Sequence, residues 1–182
     1  HKSGAVFDIE KLRWFNRQYM QAMTDTMFMK EALPRIERAL SNRAGWSKDI
    51  GEKLVPIVRE RISTWSVIED LIGTGELDAF FGTPSVDPGK IPQKGSTSEV
   101  ARKHLEFAKK ALEIGLNGPT SPEDVKALLW DYADKEGRGA VLWPLRFSLS
   151  GRERSPDPFI IISIVGKEEA LSRLSSAIKA LS

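Results

Sequence analysis

Apolar residues in this chain return at helical steps almost wherever proline and glycine do not interrupt it. Leu54, Val58, Ile62, Trp65, Ile68 and Ile72 are spaced four, four, three, three and four apart. That spacing lines one face of a helix with 3.6 residues per turn. Leu12, Phe15, Tyr19 and Met23 follow the same rule behind Asp8, a good N-cap residue type, and are expected to form one buried stripe. Ala101, Leu105, Ala108 and Leu112 form another. Ser121-Pro122-Glu123-Asp124 has the chemistry of a helix start: a capping hydroxyl, a proline for the first turn, and acids at the positive end of the dipole. Val125, Leu128, Leu129 and Tyr132 continue it. From Lys167 onward, Ala170, Leu171, Leu174, Ile178 and Leu181 outline a last amphipathic helix. The expected class is all-α.

Between Gly82 and Ser98 stand Pro84, Pro88, Pro92, Gly82, Gly89 and Gly95. Such a stretch breaks regular structure and reads as a linker, so two helical lobes are expected with the boundary there. Phe159–Val165, FIIISIV, opposes the all-α reading, because a β-branched run has the propensity of a buried strand. A lone strand would leave its backbone groups unpaired, and a helix is expected instead.

The chain's 182 residues suffice for one sizeable core or two small ones. Hydrophobic residues at 41% and charged residues at 29% fit an ordinary folded chain. No apolar run reaches the length that spans a bilayer, and no membrane partner is expected. Cysteine is absent, which excludes disulfides, thiolate metal sites and cysteine nucleophiles. A net charge of +2 is a faint footprint for a nucleic-acid binder, but Gly137–Ser155 holds Arg138, Arg146, Arg152 and Arg154 against Glu153 alone.

Catalytic constellations are missing. His1 and His104 are the two histidines, and His104 has no spaced acidic or histidine partner, so a structural role is expected of it. Zinc spacing, a phosphate-binding glycine loop and a nucleophile elbow are all absent, and no metal or catalytic residue is expected.

The segment WPLRFSLSGRERSPDPFIIISIVGKEEALSRL, Trp143–Leu174, resembles the C-terminal end of bacterial glutamyl-tRNA synthetases in its Pro-Leu-Arg, Ser-Gly, Ser-Pro-x-Pro-Phe and Gly-Lys-Glu elements. KSGAVFDIEKLRWFNRQY, Lys2–Tyr19, looks like the segment that joins that family's catalytic half to its anticodon-binding half. The resemblance implies the two-lobed anticodon-binding region of a class I synthetase, with a connecting, stem-contact segment over residues 1–30, a first lobe over 31–95 and a second over 96–182. Neither the His-Ile-Gly-His-like motif nor the Lys-Met-Ser-Lys-Ser-like loop of the catalytic half occurs. A non-catalytic piece is therefore expected, holding no cofactor, with ATP and Mg used by the parent enzyme in the cytoplasm. The expected partners are tRNA-Glu and the parent's own N-terminal catalytic domain, with the protein a monomer.

Site residues follow from the same resemblance. Glutamate and glutamine anticodons differ at the third base, cytosine against guanine. Cytosine offers acceptors where guanine offers donors, so an arginine, which only donates, accepts the first and rejects the second. The stretch Val58-Arg59-Glu60-Arg61-Ile62 puts the family's discriminating arginine on Arg61, about 100° around the helix from the buried Ile62. The alternative for Arg61 is an ordinary exposed arginine paired with Glu60 or Asp70. In the second lobe the resemblance implies anticodon contacts from Arg146, Ser155, Pro156 and Pro158, the last three around a flipped base. Lys11 and Trp14 match residues that touch the tRNA inside its L. Trp46, Trp65, Trp130 and Trp143 are assigned mainly to packing. Two other readings stay open: an anticodon reader of an enzyme that also charges tRNA-Gln, and a helical protein-interaction module on the same scaffold.

Overall fold

The computed structural model describes residues 8–182, so the Lys2–Phe7 part of the resemblance lies outside the described residues. Among the described residues are nine α-helices, two short 3-10 turns and no strand. The chain divides into two compact units at Gly75–Glu76.

The first unit holds α1 (Ile9–Ala22), α2 (Asp25–Leu40), α3 (Lys48–Arg61) and α4 (Val67–Gly73). Three helices start on side-chain caps: Asp8 accepts from the Lys11 amide at 3.0 Å, Thr24 from Met27 at 3.3 Å and Ser47 from Ile50 at 3.2 Å. Phe28, Ala32, Ile36 and Leu40 form the buried face of α2, which packs on α3 through its own buried Leu54, Val55 and Val58. Gly51 admits the Trp46 ring, whose nearest carbon stands 2.6 Å from where a Cβ would lie.

Two expectations change here. The Leu12–Phe15–Tyr19 stripe is not buried: these residues are 44, 53 and 71% exposed, and Met20 alone is the buried residue of α1. The helix is tied to α3 by polar bonds instead, Arg17 Nη2 to the Glu60 carbonyl and Gln21 Nε2 to the Arg59 carbonyl, both 3.0 Å. The stripe from Leu54 to Ile72 is split between α3 and α4. Ile62 turns extended after α3, and Ser63, Thr64 and Ser66 follow, residue types whose hydroxyls compete for helical backbone groups. Ile62 and Ile68 remain fully buried, so the apolar spacing survives the break.

The second unit holds α5 (Ser98–Gly115), α6 (Pro122–Glu136), α7 (Arg138–Ser150), α8 (Pro158–Val165) and α9 (Lys167–Ala180). Helix α7 is central and packs on the other four. The Ser121 start is a capping box, with Ser121 Oγ accepting from the Asp124 amide at 3.1 Å and Asp124 accepting from the Ser121 amide at 3.0 Å. FIIISIV is helical: Asp157 caps Phe159 at 2.8 Å and Pro158 takes the first position. Phe159, Ile161, Ile162 and Ile164 are all buried, so α8 is a core helix with little polar face.

Residue 30 falls inside α2, and the proline- and glycine-rich stretch belongs to the second unit. The reason is anchoring. Leu77, Phe80 and Ile91 are buried, and the buried Arg173 of α9 donates to the carbonyls of Ala79 (2.7 Å), Leu149 (2.6 Å) and Gly82 (2.7 Å) while pairing with Glu169.

Candidate nucleic-acid interface

The arginine-rich segment of the second unit forms the end of α7 and the loop to α8. Gly151 ends α7 in the left-handed region at φ 67°, and a Cβ there would collide with the Ser85 carbonyl. Ser150 Oγ lies 2.8 Å from the Arg146 carbonyl and 3.2 Å from the Arg152 amide. Arg146 lies over the Trp143 ring at 5.2 Å and donates from Nη2 to the Glu153 carbonyl at 3.0 Å. Trp143 is itself held by its Nε1, which donates to the Lys90 carbonyl at 3.2 Å. The loop is thus shaped by bonds to its main chain.

Arg146 and Pro158 line one cavity of about 330 Å³, with Arg138, Trp143, Gln93 and Asp157. Ser155 and Pro156 stand in the adjoining loop, Pro156 buried and Ser155 Oγ bonded to the Pro156 carbonyl at 3.2 Å. A neighbouring cavity of about 500 Å³ is lined by Lys90, Arg152, Glu153 and Arg154, among others. Part of its positive charge is answered: Arg152 pairs with Asp78 at 3.0 Å and Lys90 with Glu153 at 2.9 Å. The Glu153 hydrogen bond and charge raise Lys90 above the ordinary lysine range. Arg138 likewise pairs with Asp134 at 2.6 Å and lies over Trp130.

In the first unit, the two arginines at the end of α3 divide their roles. Arg59 ties α3 to α1 and α2, bonding Asp25 at 2.7 Å, the Gln21 carbonyl at 2.8 Å and the Met23 carbonyl, and lying over Phe28. Arg61 is the exposed last residue of α3, where the helix dipole favours a cation. Lys11 and Trp14 lie on α1, both exposed, and Trp14 meets Phe15 edge to face at 5.0 Å.

His104 is structural in its surroundings. It is 3% exposed, its Nδ1 lies 2.9 Å from Tyr132 Oη, and burial lowers its pKa. Sequence reasoning passed over Gln93 and Asp157 and gave Trp143 to packing. Single polar residues in loops carry no period, and only the cavity brings them together.

A helical scaffold that presents arginines and aromatic rings around an open cavity is suited to planar, anionic ligands. The chain belongs to the anticodon binding domain family, whose model matches residues 13–178. It is 32% identical to the glutamate–tRNA ligase of Lachnoclostridium phytofermentans over all of this chain and 36% of the relative. The Flavobacterium johnsoniae glutamate–tRNA ligase is 29% identical over all of this chain and 34% of the relative. Among solved structures, a glutamate tRNA ligase from Elizabethkingia meningosepticum matches with a TM-score of 0.74 at 30% identity, covering all of this chain and 34% of that one. The glutamate-tRNA synthetase of Elizabethkingia anophelis matches at 0.67 and 28%, covering 98% of this chain and 33% of that one. The chain spans about a third of the length of the relatives it matches.

Proposed function

We propose that this chain reads the anticodon of tRNA-Glu for a glutamate–tRNA ligase. The family match over residues 13–178 carries the reading. In the whole enzyme, ATP and Mg would activate glutamate in a catalytic half, in the cytoplasm, and this monomeric region would contribute recognition and no bond making. Arg61 tests the third anticodon base by donating to cytosine's acceptors and facing guanine's donors. Arg146, Ser155, Pro156 and Pro158 hold the remaining anticodon bases, and Lys11 and Trp14 meet the inner side of the tRNA. The exposed apolar face of α1 suits contact with the catalytic half.

Titration with tRNA-Glu transcripts bearing cytosine or guanine at the third anticodon position, at fixed low salt, tests this. Tighter binding of the cytosine form, abolished by Arg61→Gln, is the expected result. Equal binding of both forms points to an enzyme that also serves tRNA-Gln. The α1 face also favours a second reading, a protein-interaction module, which failure to bind either transcript would support.

A further inference from the structure

We propose that Asn117 is a self-modification site: the main-chain nitrogen of Gly118 displaces its side-chain amide, and the residue ages into aspartate and isoaspartate. The inference goes beyond the anticodon-reading function and does not depend on it.

Such a cyclisation asks three things of an asparagine: backbone outside a helix, a following amide not committed elsewhere, and a successor with no bulk at the point of attack. The asparagines of the chain are Asn16, Asn42 and Asn117. Asn16 lies within α1, where the Arg17 amide serves the helical ladder. Asn42 is followed by Arg43, whose amide already donates to the Leu40 carbonyl at 2.9 Å. Asn117 meets all three conditions. It is exposed, in the connection between the end of α5 at Gly115 and the start of α6 at Pro122. Neither its carboxamide nor the Gly118 amide has a hydrogen bond among the described residues. Gly118 stands at φ 90°, which glycine adopts without strain, and no atom lies within 4 Å of where its Cβ would be. The approach to its nitrogen is open.

The flanks of this dipeptide are held while its reacting groups are not. Lys167 Nζ donates to the carbonyls of Glu113 (2.6 Å) and Leu116 (2.8 Å), and Thr120 Oγ1 donates to the Gly118 carbonyl at 2.9 Å. On losing its proton to solvent base, the Gly118 nitrogen attacks Cγ of Asn117. The new N–Cγ bond closes a succinimide ring, and the side-chain nitrogen leaves as ammonia. Water then opens the ring at one of its two carbonyls. Opening at Cγ gives aspartate; opening at the main-chain carbonyl leaves the chain running through Cγ and gives isoaspartate. Water is consumed, ammonia is released, and nothing is oxidised or reduced. Either product adds a carboxylate and lowers the net charge of +2 by one. The Lys167 ammonium, bonded at the preceding residue, favours that new charge.

The test incubates the full chain at neutral and mildly alkaline pH, with and without urea, and follows each asparagine-containing peptide by mass spectrometry. A protein isoaspartyl methyltransferase with a labelled methyl donor counts the isoaspartate. In the folded chain, conversion at 117 should outrun that at 16 and 42, and it should rise with pH because the attacking nitrogen must first lose its proton. Urea should change the rate at 117 little, since the fold already leaves its groups uncommitted. Gly118→Ala puts a methyl group beside the attacking nitrogen and should suppress both products, with a thermal melt to check folding. Asn117→Asp marks where the converted species elutes in ion exchange. Conversion at 117 that is no faster than at 16 and 42, that occurs in urea alone, or that is undiminished in folded Gly118→Ala overturns the inference. Each of those results leaves the anticodon-reading function standing, and failure to bind tRNA leaves this site standing.

Discussion

The guanidinium of Arg173 donates to the carbonyl of Ala79 at 2.7 Å, joining residues 94 apart in sequence with both ends buried. The same side chain serves Leu149, Gly82 and Glu169, so it holds the 79–82 segment, the end of α7 and its own helix together. Removing it leaves three carbonyls and a carboxylate without their donor. Arg173→Ala is expected to cost about 3–5 kcal/mol in urea unfolding, and Glu169→Gln markedly less, because the carbonyl bonds remain.

Gly151 stands in the left-handed region with the Ser85 carbonyl where a side chain would be. Gly151→Ala should destabilise the second unit by more than about 1 kcal/mol. It should also weaken RNA binding, because the residue opens the loop that carries Ser155 and Pro156. Melting curves and a binding titration read the two effects separately.

Burial lowers the pKa of His104, opposed by Glu136 and aided by Lys103. With the folded value below the unfolded one, the unfolded chain binds the proton first. The contribution of neutral His104 is thus complete above the ordinary histidine value of about 6.5. It is lost as pH falls from there through the lowered folded value. Melting temperature is expected to fall over that window in the parent chain and less in His104→Gln; NMR titration of the imidazole gives the pKa directly.

The apolar face of α1 makes a sharp contrast with α2. Phe15 is 53% exposed and Phe28 is 1% exposed. Phe15→Ser should leave the stability of this chain within about 0.5 kcal/mol. Phe28→Ala should cost about 3–5 kcal/mol, since it empties a packed site and removes the ring beneath Arg59. Chemical denaturation of the two variants side by side decides it.

Helix existence and caps were legible because they are local. Asp8 and Ser121 cap helices as their positions suggest, and FIIISIV is a helix once the want of a strand partner is weighed. What covers an apolar face is not local. The α1 pattern reads the same whether its face meets a core or stands open, and it stands open among the described residues. Proline and glycine in 82–98 announce irregular backbone without saying whether it packs; Leu77, Phe80 and Ile91 anchor that region through isolated burials that no period signals. At the candidate site, arginine clustering was visible, whereas Arg59 as a brace and Gln93 with Asp157 on one cavity depend on tertiary approach.

Arg146 grips Glu153 through its main-chain carbonyl, an atom every amino acid possesses. The bend after α7 is therefore addressed by chain position and is indifferent to the side chain at 153, whose exposed pairing with Lys90 is a weak constraint. A substitution at 153 is therefore expected to leave the bend unchanged, because the bond that fixes it uses the main chain. Natural drift, or a randomised library, can retune the charge beside the cavity there while the scaffold stays as it is.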